Sequence, residues 1–338
     1  MKRFLLSLLL FVLCPCLLPA GTLHVLILKR AARTELSFAQ NYAVVIGEDH
    51  FYGPISKENR LLLENANGKM RLTLHNPQKN TKKSLGITNE KIDIVRSLGK
   101  QVDFNTPRAL SSLQSRPLPA GNLNLPKDAH HISPFVTLRQ AAYGGNITYS
   151  GPLTVYAKNG INIVETVELE NYVTQVVNCE LGGEKNLNAL KAQSVMVRTF
   201  ALFMVQNRLA ELEKGNQNWA YFQLFSTPVD QAYNCRKRVN DKEPPSALVK
   251  QAVKETSGQA ILRNKKLARV QYNTCAQKAL PKGVICQERM VKMARSGKDY
   301  KAVLTSFLPG THIEVYDMQF LSSEAAHRLK QALKSAAK

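Results

Sequence analysis

The six cysteines form no CxxC pair, so their spacing gives a structural zinc site no support. Acidic residues are scarce: 25 Asp and Glu face 46 Lys and Arg, for a formal net charge of +21. A charge of that size draws a protein toward a polyanion. The modules that read nucleic acid are absent, with no zinc-finger spacing, no aromatic RNP-type strand and no GXXG clamp. The basic residues are scattered through the chain and form no dense block. Nucleic acid is therefore a poor candidate for the polyanion. After the first twenty residues no run is apolar enough to span a bilayer, and the rest of the chain is expected to be soluble.

The opening residues MKRFLLSLLLFVLCPCLLPAG combine a positive start at Lys2 and Arg3, an apolar stretch from Phe4 to Leu18, and small residues at Ala20 and Gly21. This pattern predicts an export signal over residues 1–20, cleaved or retained as an anchor. The expected location is the periplasm or the cell-wall face of the inner membrane. Loss of Lys2 and Arg3 lowers the charge from +21 to +19. Outside the inner membrane, the polyanions on offer are lipid head groups and the carboxylate-rich wall. Four cysteines then remain, Cys179, Cys235, Cys275 and Cys286. They allow one or two disulfides among three pairings, or buried free thiols.

The chain reads as α+β. Residues 21–134 form a β-rich N-terminal region, where LHVLILKR, ELSFAQNYAVVIG and KMRLTLHN alternate with turn residues. The region ends in a proline-rich, irregular connection that carries His130 and His131. Residues 135–316 form a mixed α/β domain around one long central helix, and residues 317–338 a basic C-terminal helix. From Tyr143 to Val177 the alternation and Gly turns predict hairpins. Leu187, Leu190, Ser194, Val197, Ala201 and Met204 recur at helical steps, predicting a helix over 186–212 with one buried stripe. A second helix is expected over 246–258, and a third over the stretch ERMVKMARSGKDYKAVLTSFL. The tail SSEAAHRLKQALKSAAK suits local packing, or a place on a membrane or wall surface.

Glu180 is the residue of most chemical interest. The apolar run VVNC delivers it to a Gly-Gly turn, and a partly apolar setting raises a carboxyl pKa. Glu184 follows that turn in a polar run and reads as a charge favourable to the next helix N-terminus. Lys191 and Arg198 share a helix face, where each reads as a substrate grip, a structural ion pair or a snorkelling side chain. Gln193, Gln231 and Tyr233 have the chemistry to bind sugar hydroxyls, or to satisfy buried backbone. Trp219 and Tyr221 suit ring stacking or core packing.

These stretches together resemble the sporulation stage II protein D family of lytic transglycosylases. VVNCELGGEKNLNALKAQSVMVRTFAL is similar to the family's central segment, and NGINIVETVELENYV to its lead-in. DQAY at 230–233, VKQAVKETSGQAIL and KGVICQERMVKMARSGKDYKAVLTSFLPGTHIEV follow in family order, so the resemblance spans about residues 143–316. This chain has Lys282 where the family's closing motif has His, and Cys286 where it has Ser. Thr227, Pro228, Val229 and Asp230 stand where some members place His and Cys, so no metal is expected, nor any cofactor.

The resemblance implies a peptidoglycan lytic transglycosylase with Glu180 as its acid. Lys191, Gln193, Arg198, Gln231, Tyr233 and Gln287 are then the expected substrate-binding residues. It further implies glycan strands stripped of stem peptides as substrate, and a cell-wall amidase as upstream partner. A non-catalytic wall-binding module that recruits or stimulates an amidase is the alternative.

Overall fold

A computed structural model describes residues 21–39, 41–47, 50–96, 136–140, 145–149, 151–233, 245–275 and 283–318. The expected export signal and C-terminal helix, most of the irregular connection, Cys235 and Lys282 lie outside the described residues.

Among the described residues the N-terminal region holds strands β1 (Thr22–Ala31), β2 (Arg33–Phe38), β3 (Tyr42–Ile46), β4 (His50–Ile55), β5 (Arg60–Ala66), β6 (Lys69–Asn76), β7 (Thr81–Thr88) and β8 (Ile92–Arg96). Four more follow: β9 (Val136–Gln140), β10 (Gly145–Tyr149), β11 (Leu153–Ala157) and β12 (Ile161–Glu168). Helices α1 (Leu169–Leu181) and α2 (Leu187–Glu213) come next, then β13 (Leu224–Phe225) and α3 (Ala247–Glu255). Strands β14 (Gln259–Arg263), β15 (Lys266–Leu267), β16 (Gln271–Asn273) and β17 (Val284–Cys286) lead to α4 (Gln287–Arg295), α5 (Tyr300–Phe307) and β18 (His312–Val315). A β-rich first part followed by a mixed helical part makes the protein α+β.

The two parts share a sheet. Seven strands run in the order β13-β1-β12-β11-β8-β3-β4, and β1 pairs antiparallel with β12 from Thr22↔Glu168 to Ala31↔Ile161. Period-two alternation sends Leu23, Val25 and Ile27 of β1 into the main core, while Leu26 meets Tyr156, Val164 and Phe222 on the other face. The β11–β12 hairpin turns through Asn159 (φ 55°) and Gly160 (φ 115°), where the left-handed backbone favours these two residue types. A second sheet runs β10-β9-β2-β5-β6-β7.

Helix α2 is the centre of the second part. Asn186 caps it by accepting the Ala189 N–H, and Glu184 accepts the N–H groups of Lys185 and Asn186 just before it. The expected single stripe proves to be two faces. Leu190, Val197, Ala201 and Leu202 enter the main core, whereas Ala189, Ala192, Val195 and Met196 enter a second cluster with β14, α4 and α5. A helix packed on both sides is apolar around much of its circumference, which blurs a one-stripe pattern.

Two further expectations change. Residues 169–181 are a helix, not the end of a hairpin. Leu169, Tyr172, Val173, Val176 and Val177 are its buried residues, a helical spacing that overrides the strand preference of the β-branched run. The third expected helix is broken into α4 and α5 at Gly297 (φ 90°), and Asp299 restarts it by accepting the Lys301 N–H.

Candidate active site

Glu180 lies in the last turn of α1, half-buried and facing α2. Four donors converge on its carboxyl group. The Tyr272 hydroxyl donates to Oε1 at 3.0 Å, Gln193 Nε2 donates to Oε2 at 2.5 Å, and Gln287 Nε2 reaches Oε2 at 3.4 Å. The backbone N–H of Ala232 is the fourth. Burial dominates these contacts and pushes the Glu180 pKa up to about 7, against the opposing pull of Tyr272, Gln193, Ala232 and Gln287. Every one of the four donors is uncharged, so no cation among these contacts offsets the desolvation. A carboxyl group tuned this way holds a proton near neutral pH and can both give and take one.

The DQAY stretch supplies much of the surround, each residue by a different bond. Asp230 is clamped by Arg208 of α2, which donates to both its oxygens at 2.5 and 2.9 Å, and it also accepts the Phe225 N–H. That anchor carries Gln231 inward, where it is 1% exposed. Its Oε1 accepts from the Tyr172 hydroxyl, and its Nε2 donates to the Val197 carbonyl and to the Tyr272 hydroxyl oxygen. With that oxygen already accepting, the Tyr272 proton is directed at Glu180 Oε1. Burial and the neighbouring carboxylate push the Tyr272 hydroxyl well above its usual range, so it stays a donor. Ala232 contributes its N–H, and Tyr233 donates instead to the buried Glu165 while stacking on Tyr172.

Since Oε1 accepts from Tyr272, the acid proton of Glu180 belongs on Oε2, beside Gln193. The Gln193 Oε1 atom is buried and has no partner among the described residues. Turning that amide over presents Oε1 to the protonated oxygen. Gln193 can thus donate to the carboxylate and accept from the neutral acid.

Of the expected site residues, Glu180, Gln193, Gln231 and Gln287 come together, and the charged ends of Lys191 and Arg198 are engaged elsewhere. Lys191 pairs with Glu255 at 2.5 Å and approaches the Tyr300 ring. Arg198 is fully buried and donates two parallel hydrogen bonds to Glu170, with further bonds to the carbonyls of Gln259 and Ser194. It ties α1, α2 and β14 together. Lys191→Met is expected to change stability little, because Glu255 lies at the surface where water screens the pair, and to leave glycan affinity unchanged. Urea unfolding and glycan pull-down check the two halves. Glu184 is held below the usual carboxylate range: burial opposes this, but the N–H groups of Asn186 and Lys185 and the Arg295 guanidinium outweigh it. Trp219 and Tyr221 pack against the β1–β12–β11 face, with Tyr221 stacked on Tyr156.

Tyr272 and the Ala232 amide were not legible as site groups. Tyr272 sits in a short polar strand within YNTCAQKAL, a stretch that departs from the family pattern, and a backbone N–H has no sequence signal at all. Among the described residues no three His, Cys, Asp or Glu side chains gather into a metal cluster.

No curated protein matches the chain. Residues 157–262 match the profile of the family described as Stage II sporulation protein, SpoIID. The matched stretch runs from the end of β11 to β14 and holds Glu180, Gln193, Gln231 and Ala232, while Tyr272 and Gln287 fall beyond it. The match over residues 157–262 supports membership of the SpoIID family and is consistent with a cell-wall-related function.

Proposed function

We propose that this protein is a peptidoglycan lytic transglycosylase that cleaves glycan strands lacking stem peptides, with Glu180 as its acid and base. The observation that carries the reading is a half-buried carboxyl group whose pKa burial raises to about 7 against the pull of four neutral donors. Ordinary glycosidases need two carboxylates, one of them to activate water or attack the sugar. Here the substrate supplies the nucleophile. Protonated Glu180 gives its Oε2 proton to the glycosidic oxygen as the bond to C1 breaks. The resulting carboxylate takes the proton of the muramic C6 hydroxyl, whose oxygen closes on C1. A 1,6-anhydro end forms and no water is consumed. The intramolecular hydroxyl acts at high effective concentration, which offsets the lack of an activated water. In the cell this chemistry belongs outside the inner membrane, downstream of an amidase that removes stem peptides.

Mass spectrometry of products from amidase-stripped strands tests the reading. Anhydro-ended fragments support it, reducing ends point to hydrolysis, and retention of glycan without cleavage leaves a wall-binding module.

The pH profile follows from the same carboxyl group. Glu180 must start neutral, so kcat falls as pH rises through about 7. The other titratable groups around it, Tyr272 and Tyr172, are both raised far above that range and stay neutral. Tyr272→Phe removes a donor that favours the carboxylate. Taking a hydrogen bond to a charged group as about 1.5 kcal/mol, the limb moves upward by about one pH unit. A profile of kcat against pH for both proteins measures it.

A further inference from the structure

Two of the four donors to Glu180 lie in, or directly after, a two-stranded sheet. Strands β16 and β17 pair in parallel over three residues each, Gln271↔Val284, Tyr272↔Ile285 and Asn273↔Cys286. Tyr272 lies within one strand, and Gln287 follows the other directly. A two-stranded sheet of this size has little stability of its own. A disulfide between Cys275 and Cys286, with Cα atoms 5.4 Å apart, closes it at the C-terminal end of both strands. Cys179, next to Glu180 in sequence, is also disulfide-bonded.

The two sulfurs of the Cys275–Cys286 bond differ. Cys275 is half-buried and Cys286 is buried. Cys286 is also the N-cap of α4, its Sγ accepting the Arg289 N–H at 3.3 Å. A helix N-terminus stabilises a thiolate, and a stabilised thiolate leaves more readily in exchange. Attack is therefore favoured at the accessible sulfur, with the capped one leaving.

We propose that the Cys275–Cys286 disulfide is a positioning clasp that holds Tyr272 and Gln287 against the two oxygens of Glu180, and that dithiol reductants open it by attack at Cys275. In the exchange, a reductant thiolate bonds to Cys275 Sγ, the S–S bond breaks and Cys286 departs as thiolate. The second thiolate of the reductant then attacks its own mixed-disulfide sulfur and expels Cys275. The reductant ends as a disulfide, the protein has gained two electrons, and the two cysteines take up two protons. The catalytic consequence rests on the proposed role of Glu180; the placement of its donors does not.

The test compares the oxidised chain with Cys275→Ser/Cys286→Ser, which opens the clasp while leaving the Cys179 disulfide formed. Three readouts are used: cleavage of amidase-stripped glycan strands, the pH limb of kcat, and amide hydrogen exchange over 271–273 and 284–287. The variant is expected to lose about 10- to 100-fold in kcat with little change in KM, as misplaced catalytic groups do. Its limb moves upward because two donors favouring the carboxylate are loosened. Exchange in β16 and β17 quickens while α2 is unchanged, and dithiothreitol gives the wild type the same exchange pattern over these strands. A variant with wild-type kcat and limb overturns the proposal. So does a drop in kcat with the limb unmoved or lowered, which would assign the bond to holding the fold. If the oxidised wild type cleaves nothing, the transglycosylase reading fails by itself. The clasp is then judged by exchange together with NMR titration of Glu180: quickened exchange with a raised Glu180 pKa in the variant supports it, and any other result overturns it.

Discussion

Glu180→Gln is expected to reduce glycan cleavage by about two to four orders of magnitude, the usual contribution of a positioned acid–base group, while glycan retention survives. The substitution should also make the protein more stable at neutral and alkaline pH. The folded pKa of Glu180, about 7, stands above the ordinary carboxyl value of 4.5. Between those two values the folded chain holds a proton that the unfolded chain has released. Stability therefore falls as pH rises through this window and levels off above it. The loss amounts to about 3 kcal/mol over the window. A neutral glutamine has no such loss, and its amide has an acceptor waiting in the unpartnered Oε1 of Gln193. Urea unfolding of both proteins at pH 5 and pH 8 checks this: the variant should gain relative to the wild type only at the higher pH. Equal gains at both would mean that Glu180 is strained rather than desolvated. Retained cleavage in the variant would move the acid to another residue.

Arg198→Met is expected to cost about 3 kcal/mol of stability and leave KM unchanged. The guanidinium is fully buried, and its removal strands the Glu170 carboxylate along with the carbonyl of Gln259. Breaking a buried ion pair by removing one member costs about 3–5 kcal/mol. The lower end applies because the Glu170 side chain remains 31% exposed and water can reach it. Arg198→Lys should recover little, since a single ammonium cannot reproduce two parallel bonds and a carbonyl bond. Denaturant unfolding measures the loss. A variant of nearly wild-type stability and sharply raised KM would instead put Arg198 in contact with glycan.

The contrast between Arg198 and Glu180 shows how far the chain could be read without coordinates. The segment from Glu180 to Arg198 marks the site, and helical spacing there requires α2. Spacing also puts Lys191 and Arg198 on one helix face, but it does not say what lies opposite that face. Glu170 and Glu255 lie opposite, and they come from elements whose packing no local pattern specifies. Helix α1 shows the same limit from another side. Its β-branched Val residues favour a strand locally, and only the core that accepts Tyr172, Val173, Val176 and Val177 decides for the helix.

By itself the sequence determined what local chemistry determines: the α+β pattern, the long central helix, the acidic residue beside a Gly-Gly turn, and the family these resemble. Tertiary structure alone decided which groups touch that acid. Tyr272, Gln287 and the Ala232 amide arrive from segments far along the chain, and the bond between Cys275 and Cys286 selects one pairing among those that cysteine spacing left open. The reason is physical. A carboxyl pKa is set by desolvation and by donors within hydrogen-bond reach, and both depend on the three-dimensional surroundings rather than on neighbours in sequence.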